Sequence, residues 1–392
     1  MYTAHSGLNM STHLNIAFYT DTFYPAVDGV VTSVSNFSHE LKRRGHNVYI
    51  FTAGKKTKDN AATVDVFFER GIRFKKYPQY TLAMFPFVSS IKVRKFDIDI
   101  VHTHTPFFMG MSAMMIAKIN KLPLVGSFHT LFTDKAVIDE YAAKNALLQK
   151  VANRYSWPYA RFFYNRCDRV IAPSASTAGI LSGEGINNIS VVENGIDLRR
   201  FNSKVNGKRL RNRLLTDGYE HIVLYLGRVS KEKRIDTMIK AARRIKRKDV
   251  RFVIAGTGPA LDHYKRLAAH YRLDGKVVFT GFVNGKDLPE YYAASDMLCM
   301  PSTFETQGIV TLEAMACNKP VVGADYMALK DLVVDGFNGE KFAPNSSVDC
   351  ARKIMKVLGN EGGYEGMLAT ARKYSIEKTT DKLLNVYKEA IH

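Results

Sequence analysis

Residues 299–320 read CMPSTFETQGIVTLEAMACNKP, and the rest of the chain is best read outward from them. Two carboxylates, Glu305 and Glu313, stand in this stretch with seven residues between them. An apolar strand over 296–300 runs into a polar loop that carries Glu305. The helix that starts near Gly308 carries Glu313. Thr306, Gln307, Gly308 and Ile309 put their backbone N–H groups at the opening of that helix. Unpaired donors and the positive end of the helix dipole suit a phosphate there. By spacing alone, the favoured reading is the plain one, a loop acid followed by a solvated helix acid. The alternative is one short segment that holds a diphosphate, a ribose hydroxyl pair and a sugar.

Upstream, the same strand-loop-helix unit recurs. HIVLYL at 221–226 reads as a strand, and GRVSKEKR at 227–234 leads into a helix at Ile235. Arg228 and Lys233 flank that helix entrance, where cations are well placed to grip a diphosphate. RFVIA at 251–255 is the next strand. The GTGP after it falls short of the full GxGxxG dinucleotide fingerprint. VVFTG at 277–281 is another strand, a helix follows over 287–294, and a strand begins near Pro320. DGFNG at 335–339 is a turn, and helices from Ser347 close the chain.

The first half has the same rhythm. LNIAFY at 14–19 is a strand, and Val30, Val34, Phe37 and Leu41 have helical spacing. NVYIFT at 47–52 is a second strand, so the chain opens as a β-loop-α-β unit of a doubly wound parallel sheet. Gly29 lies where the first strand feeds the first helix. By itself it reads first as a plain tight turn, with a place where backbone meets phosphate as the alternative. Residues 53–96 look irregular and interleave Arg73, Lys75, Lys76, Lys92, Arg94 and Lys95 with Phe74, Tyr77, Tyr80, Phe85 and Phe87. Such interleaving suits nucleic acid, a lipid interface or a solvated loop over a core.

DIVHTH at 99–104 is a buried strand. Asp97 and Asp99 precede it, away from its carboxyl end, which argues against a metal pair. His102 and His104 share a face and read as packing residues. LPLVGS at 122–127 delivers His129 to a strand's carboxyl end, where chemistry is expected in this architecture. Residues 134–166 read as a long helix with aromatic residues among Lys150, Arg154, Arg161 and Arg166. It is either a membrane-facing surface or a core helix with a charged back, and Pro158 is expected to kink or restart it. Strands at 168–173 and 189–193 and the turn ENGID precede a polar, basic run through residue 213. The domain boundary therefore falls near 200.

At 392 residues the chain has room for two or three domains. Its net charge of +19 asks for an anionic partner: nucleic acid, an anionic membrane face or a phosphorylated substrate. No CxxC pairing joins the cysteines, so neither a zinc site nor a disulfide scaffold is implied, and a reducing, cytoplasmic setting fits. The N-terminus lacks the apolar stretch of a signal peptide, and no apolar run is long enough to span a bilayer.

Taken together, these segments resemble the family 4 retaining glycosyltransferases of the GT-B fold. PSTFETQGIVTLEAMACNKPVVG resembles the donor segment of that family, Glu pair included. YPAVDGVVTSV, DIVHTHTP, ENGIDLRRF, LGRVSKEKRID, IAGTGP, TGFV and DGFNG match in the same order over roughly residues 14–380. The resemblance implies two Rossmann-like doubly wound domains facing across a cleft. The acceptor domain would span 1–200 and the nucleotide-sugar domain 201–375, with a helix at 376–392 expected to pack back on the first. It implies that Glu313 binds the ribose hydroxyls and that Arg228 and Lys233 hold the diphosphate. Gly29 and the N–H groups of residues 306–309 would complete the cradle. Glu305 would contact the sugar and His129 would lie beside it at the acceptor side. No divalent metal or other cofactor is implied, because cations and helix dipoles neutralise the leaving group. The chain departs from the family in having Asp28-Gly29 where many members have two glycines, and Glu193 where a proline is common.

A carboxylate nucleophile would be needed for double displacement. The family is usually drawn with same-face attack instead, so Glu305 is expected to orient the sugar. The segments are most similar to glycolipid synthases that glucosylate diacylglycerol, and next to phosphatidylinositol mannosyltransferases and sulfolipid synthases. UDP-glucose is the expected donor, GDP-mannose the alternative, and a membrane lipid the expected acceptor. The enzyme would sit peripherally on the anionic inner face of the cell membrane, through the basic aromatic stretches at 70–96 and 150–166. The competing classes are weaker. A soluble sugar transferase keeps the same donor site, and a phosphorylase-like enzyme lacks a pyridoxal-phosphate lysine motif. A nucleic-acid binder lacks any nucleic-acid motif. A lectin-like descendant would not need Arg228, Lys233, Glu305 and Glu313 together.

Overall fold

The computed structural model describes residues 13–24, 28–54, 65–69, 71–73, 81–83, 92–134, 138, 145–216, 218–360 and 362–392. Its first frame is a parallel sheet built from β1 (Asn15–Thr20), β2 (Asn47–Ala53), β3 (Asp65–Glu69), β6 (Ile100–Thr103), β7 (Leu124–Ser127), β8 (Arg169–Ala172) and β9 (Ile189–Val191). The strand order is β3-β2-β1-β6-β7-β8-β9. Ile16 lies opposite both Val48 and Ile100 in register. These strands are nearly continuous apolar runs because helices cover both of their faces. On one face, Val30, Val34, Phe37 and Leu41 of the helix Gly29–Arg43 pack with Ile16, Phe18 and Ile50. On the other, Met109, Ala113 and Ile116 of the helix Phe108–Asn120 join Ala160, Phe163 and Tyr164 of the helix Ala146–Tyr164.

The second frame uses β10 (His221–Leu226), β11 (Val250–Ala255), β12 (Val277–Gly281), β13 (Met297–Met300), β14 (Val321–Ala324) and β15 (Gly339–Phe342), in the order β12-β11-β10-β13-β14-β15. Both sheets are doubly wound and parallel, as the alternation of strand and helix patterns leads one to expect. Strand order reverses between β1 and β6 in the first and between β10 and β13 in the second. A crevice therefore opens at the carboxyl ends of those strands, the place where ligands bind in such sheets.

The C-terminal helix Ile376–Ile391 crosses back to the first sheet. Its Leu383, Val386 and Tyr387 are buried with Ile16, Phe18 and Ile100. Arg44, which also pairs with the buried Glu40, reaches Asp381 at 2.5 Å, and Lys382 reaches Glu193 at 2.7 Å.

Two local expectations change. Residues 53–96 are not wholly irregular: they supply β3 and a short antiparallel pair, β4 (Gly71–Arg73) and β5 (Thr81–Ala83). Most of the basic and aromatic residues singled out there lie outside the described residues. Lys92, which is described, sits 4.1 Å over the ring of Phe67. The helix expected over 134–166 is described from Ala146, and it runs through Pro158 as one element. Proline removes one internal hydrogen bond and crowds the preceding turn. The burial of Ala160, Phe163 and Tyr164 just after it holds the helix together.

Candidate active site

Two helix N-termini meet in the crevice. Asp28 caps the helix Gly29–Arg43 by accepting from the Val31 N–H at 2.9 Å, which leaves Gly29 exposed at its tip. A Cβ built on Gly29 would sit 3.9 Å from Ile309 Cδ1, the first residue of the helix Ile309–Ala316. Gly308 enters that helix at φ +79, a left-handed conformation that favours glycine. Two positive dipole ends thus face a common narrow space, one from each domain.

Lys233 is tied to the loop that leads into the second of these helices. Its Nζ donates to Glu305 Oε1 at 2.7 Å and to the Phe304 carbonyl at 3.3 Å. Arg228 lies half-buried in the loop after β10, and its carbonyl accepts from the Tyr225 hydroxyl at 2.7 Å. The glycines of the GTGP segment serve close packing of that loop. A side chain on Gly256 would collide with the Gly227 carbonyl, and one on Gly258 with the Val229 carbonyl.

The loop between the two acids is fastened to the first domain. The Thr306 hydroxyl donates to the His129 carbonyl at 2.9 Å. The Thr306 carbonyl accepts from Ser174 at 2.7 Å and from Thr177 at 3.1 Å. The Gln307 amide brackets the backbone of Asn194: Asn194 N–H donates to Oε1 at 2.7 Å, and Nε2 donates to the Asn194 carbonyl at 2.8 Å. Gln307 is buried, and Asn194 is itself held by the Ser33 hydroxyl at 2.6 Å. The side chains of Thr306 and Gln307 are therefore committed to the domain contact, and only their backbone is left for a donor. Sequence reasoning passed over Ser174 and Thr177 and read Asn194 only as part of a turn. The Ser174-x-x-Thr177 spacing announces a helix cap, but its reach to Thr306 is a tertiary fact.

His129 belongs to a stack of three histidines. Its Nε2 lies 3.0 Å from His104 Nδ1, and the His104 and His102 rings are 4.1 Å apart. His102 is gripped by the Tyr387 hydroxyl at 2.7 Å and the Ser127 hydroxyl at 2.8 Å. Burial pushes His129 down to about 4 and holds His102 and His104 well below the ordinary imidazole range, so all three stay neutral near pH 7. Asp21, at the carboxyl end of β1, was also passed over. It accepts from the Met109 N–H at 2.9 Å and from the Thr105 hydroxyl at 2.5 Å, so it caps the helix Phe108–Asn120. Burial pushes its carboxyl up.

Glu313 faces different neighbours from Glu305. The Tyr292 hydroxyl donates to its Oε2 at 2.7 Å. Burial raises its carboxyl to about 7, with Tyr292 and Arg200 pulling the other way. It lines a cavity of about 320 Å³ between the domains, together with Asp197, Arg199 and Arg200 of the segment that joins the two sheets and Asn36 and His39 of the first helix. A separate group, Glu220, His221 and Asp249, brings ligand atoms within 4.8 Å of one another. It sits at the amino ends of β10 and β11, away from the crevice, and Asp249 already accepts from Arg247 at 2.9 Å.

Comparison with known proteins matches two family models: Glycosyltransferase Family 4 over residues 27–200 and Glycosyl transferases group 1 over residues 207–377. The chain is 31% identical to an alpha-monoglucosyldiacylglycerol synthase of Streptococcus pneumoniae, over 88% of this chain and 78% of that protein. It is 27% identical to a GDP-mannose-dependent alpha-mannosyltransferase of Corynebacterium glutamicum, over 83% of this chain and 76% of that protein. Among solved structures, Anabaena HepE in complex with UDP and glucose superposes with a TM-score of 0.75 at 20% identity, covering 95% of this chain and 99% of that one.

Proposed function

The chain belongs to the family 4 glycosyltransferases of the GT-B architecture, and from that premise we propose that it moves a hexose from a nucleotide-sugar to a lipid hydroxyl, with retention of configuration. The observation that carries this reading is the meeting of the Gly29 and Ile309 helix tips, with Lys233 paired to Glu305 in the loop that leads into the second helix. The donor diphosphate lies between those tips. Lys233 leaves Glu305 for the phosphates, and Arg228 joins it. Glu305, released, accepts from sugar hydroxyls. Glu313 accepts from the ribose hydroxyls at the wall of the interdomain cavity. The neutral His129 ring exchanges hydrogen bonds with the sugar without adding charge.

In the transfer step the acceptor oxygen forms its bond to the anomeric carbon on the face that the phosphate leaves. The bond from that carbon to the phosphate oxygen breaks, and its electron pair stays on the phosphate. The acceptor proton passes to that departing oxygen. Lys233, Arg228 and two helix dipoles hold the developing charge in place. Glu305 forms no covalent bond in this scheme. Glu305→Ala in azide is therefore expected to yield no glycosyl azide, and a trapped glycosyl-enzyme overturns the scheme.

Glucose on diacylglycerol is the first reading, supported by similarity to the pneumococcal synthase. Mannose from GDP-mannose onto a phosphoinositide-type lipid is the second, supported by the mannosyltransferase relative. Among the described residues, no helix is long and apolar enough to cross a membrane. The net charge of +19 supports a peripheral position on an anionic leaflet. The test is nucleotide release from UDP- and GDP-sugars against a panel of lipid acceptors. Release of UDP that depends on diacylglycerol is expected. Equal release without lipid, or transfer only to a soluble sugar, overturns the lipid reading.

A further inference from the structure

Two neighbouring helices of the first domain leave apolar rows unburied. On the helix Phe108–Asn120, Phe108, Met111, Met115 and Ile119 are 37–59% exposed. Their spacing of three, four and four residues puts them on one side of the helix, opposite the Met109, Ala113 and Ile116 side that enters the core. On the helix Ala146–Tyr164, Leu147, Val151, Tyr155 and Phe162 are 42–72% exposed and also share one side. The two helices touch: a Cβ on Gly110 would lie 3.0 Å from Phe163 Cζ, and the Tyr159 hydroxyl donates to the Pro106 carbonyl at 2.5 Å. Both bury their other side in the same core layer, and the contacts run parallel along the two helices, so the rows meet near Phe108 and Phe162 and extend from there in opposite directions over the outer surface.

The charge around these rows is mostly basic, with Glu184, which pairs with Arg161 at 3.6 Å, an acid set against the second helix. Neither helix carries an acidic residue. Lys118 and Lys121 stand exposed at the end of the first helix, and Lys150 and Arg154 stand exposed beside the row of the second. Exposed Arg94 reaches Asn120 at 3.2 Å, and the Arg166 guanidinium lies 3.9 Å over the exposed Phe162 ring. The patch is continuous with the crevice. Phe107, which precedes the first helix, meets Phe132 edge-on at 5.3 Å, and Phe132 lies three residues after His129.

We propose that this two-helix face inserts into an anionic lipid leaflet, with its apolar rows in the acyl boundary and its lysines and arginines at the headgroups. An apolar row with a predominantly cationic rim complements such a surface, and large side chains give it depth. The proposal rests on the lipid-acceptor reading. It adds the surface by which the crevice is brought to the bilayer, including the helix Phe108–Asn120, which sequence patterning does not distinguish from a buried one.

The test uses the full chain with phosphatidylcholine vesicles, with and without phosphatidylglycerol. The wild type is expected to co-sediment with the anionic vesicles and to keep part of that binding at about 1 M salt, where charges are screened beyond about 3 Å. Met115→Glu with Ile119→Glu, both exposed sites, is expected to lose about tenfold or more of the binding and all of the salt-resistant part, with an unchanged melting temperature. Lys118→Ala with Lys121→Ala is expected to lose only the salt-sensitive part. Unaltered vesicle binding in the double glutamate variant overturns the proposal. So does a wild-type dimer that the same variant dissociates while vesicles are ignored, which would assign the face to a second copy. Transfer to diacylglycerol dispersed in detergent reports separately on the acceptor. Vesicle binding through this face with no transfer to any lipid upholds the surface and refutes the lipid-acceptor reading.

Discussion

Replacing Gln307 by alanine should uncouple the two domains. Its side-chain amide makes two hydrogen bonds, both about as short as amide bonds become, to the N–H and carbonyl of Asn194 across the domain boundary. Gln307 and Asn194 are both buried. Truncation removes both partners at once and leaves a backbone donor and acceptor unsatisfied, at about 1–3 kcal/mol each. Water entering the space recovers part of this, so the closed arrangement should lose about 3 kcal/mol, or about a hundredfold in its population relative to open states. The Thr306 contacts to His129, Ser174 and Thr177 remain, so the chain should still fold. The measurements are steady-state transfer, equilibrium nucleotide binding and thermal melting on the same variant. A fall in kcat/KM of about a hundredfold is expected, with nucleotide affinity in the isolated donor half changed much less. Gln307→Glu should do no better, because it keeps the acceptor for the Asn194 N–H but sets a buried charge against the Asn194 carbonyl. Transfer within about twofold of wild type refutes the coupling argument, and a fall in kcat/KM matched by a collapse in melting temperature reduces Gln307 to a packing residue.

Lys233→Ala should lower kcat/KM by about a hundredfold to a thousandfold, the range for removing one donor from a developing oxyanion, and Lys233→Arg should recover part of it. Equal rates in the alanine variant would remove Lys233 from the diphosphate. Glu313 holds its proton to about pH 7 when folded but releases it near 4.5 when unfolded. Its contribution to stability therefore falls as pH rises from 4.5 to 7 and is flat above, a loss on the order of 3 kcal/mol by pH 8. Melting followed from pH 5 to 8 should show that slope in the wild type and not in Glu313→Gln, which should be the more stable at pH 8 yet bind donor more weakly. Parallel slopes in the two proteins would contradict the buried-carboxyl account. Gly308→Ala should cost about 1–2 kcal/mol, since Gly308 holds φ +79 and an added Cβ meets Leu329 Cδ2 at 3.2 Å. A melting temperature equal to that of wild type would show that the loop relaxes without strain.

Much of the framework is legible in local sequence. Runs such as HIVLYL and LNIAFY are apolar on both sides because parallel strands are covered on both faces, and the structure makes them β10 and β1. Helical spacing in Val30, Val34, Phe37 and Leu41 marks the face that enters the core. Other features misled. Pro158 reads as a kink or a restart, and the structure has no restart there: one helix runs through it, with Ala160, Phe163 and Tyr164 buried just beyond. Residues 53–96 read as irregular, yet β3 pairs with β2 there, because strand pairing rewards residues that show little alternation of their own.

By itself the sequence determines the two doubly wound sheets, the helix openings at Gly29 and Ile309, and the cations and acids that stand near them. Each of these is written in a span of a few residues, where backbone hydrogen bonding and side-chain period act. The tertiary structure decides what those side chains touch. Gln307 meets Asn194 over a separation of 113 residues, and Thr306 meets His129 over 177. Burial in the tertiary structure raises the Glu313 carboxyl to about 7, against the opposing pull of Tyr292 and Arg200. The row Phe108, Met111, Met115 and Ile119 stays in solvent only because the sheet takes the opposite side of its helix. Burial and electrostatics depend on everything within a few ångströms, and those neighbours come from chain segments that no local pattern brings together.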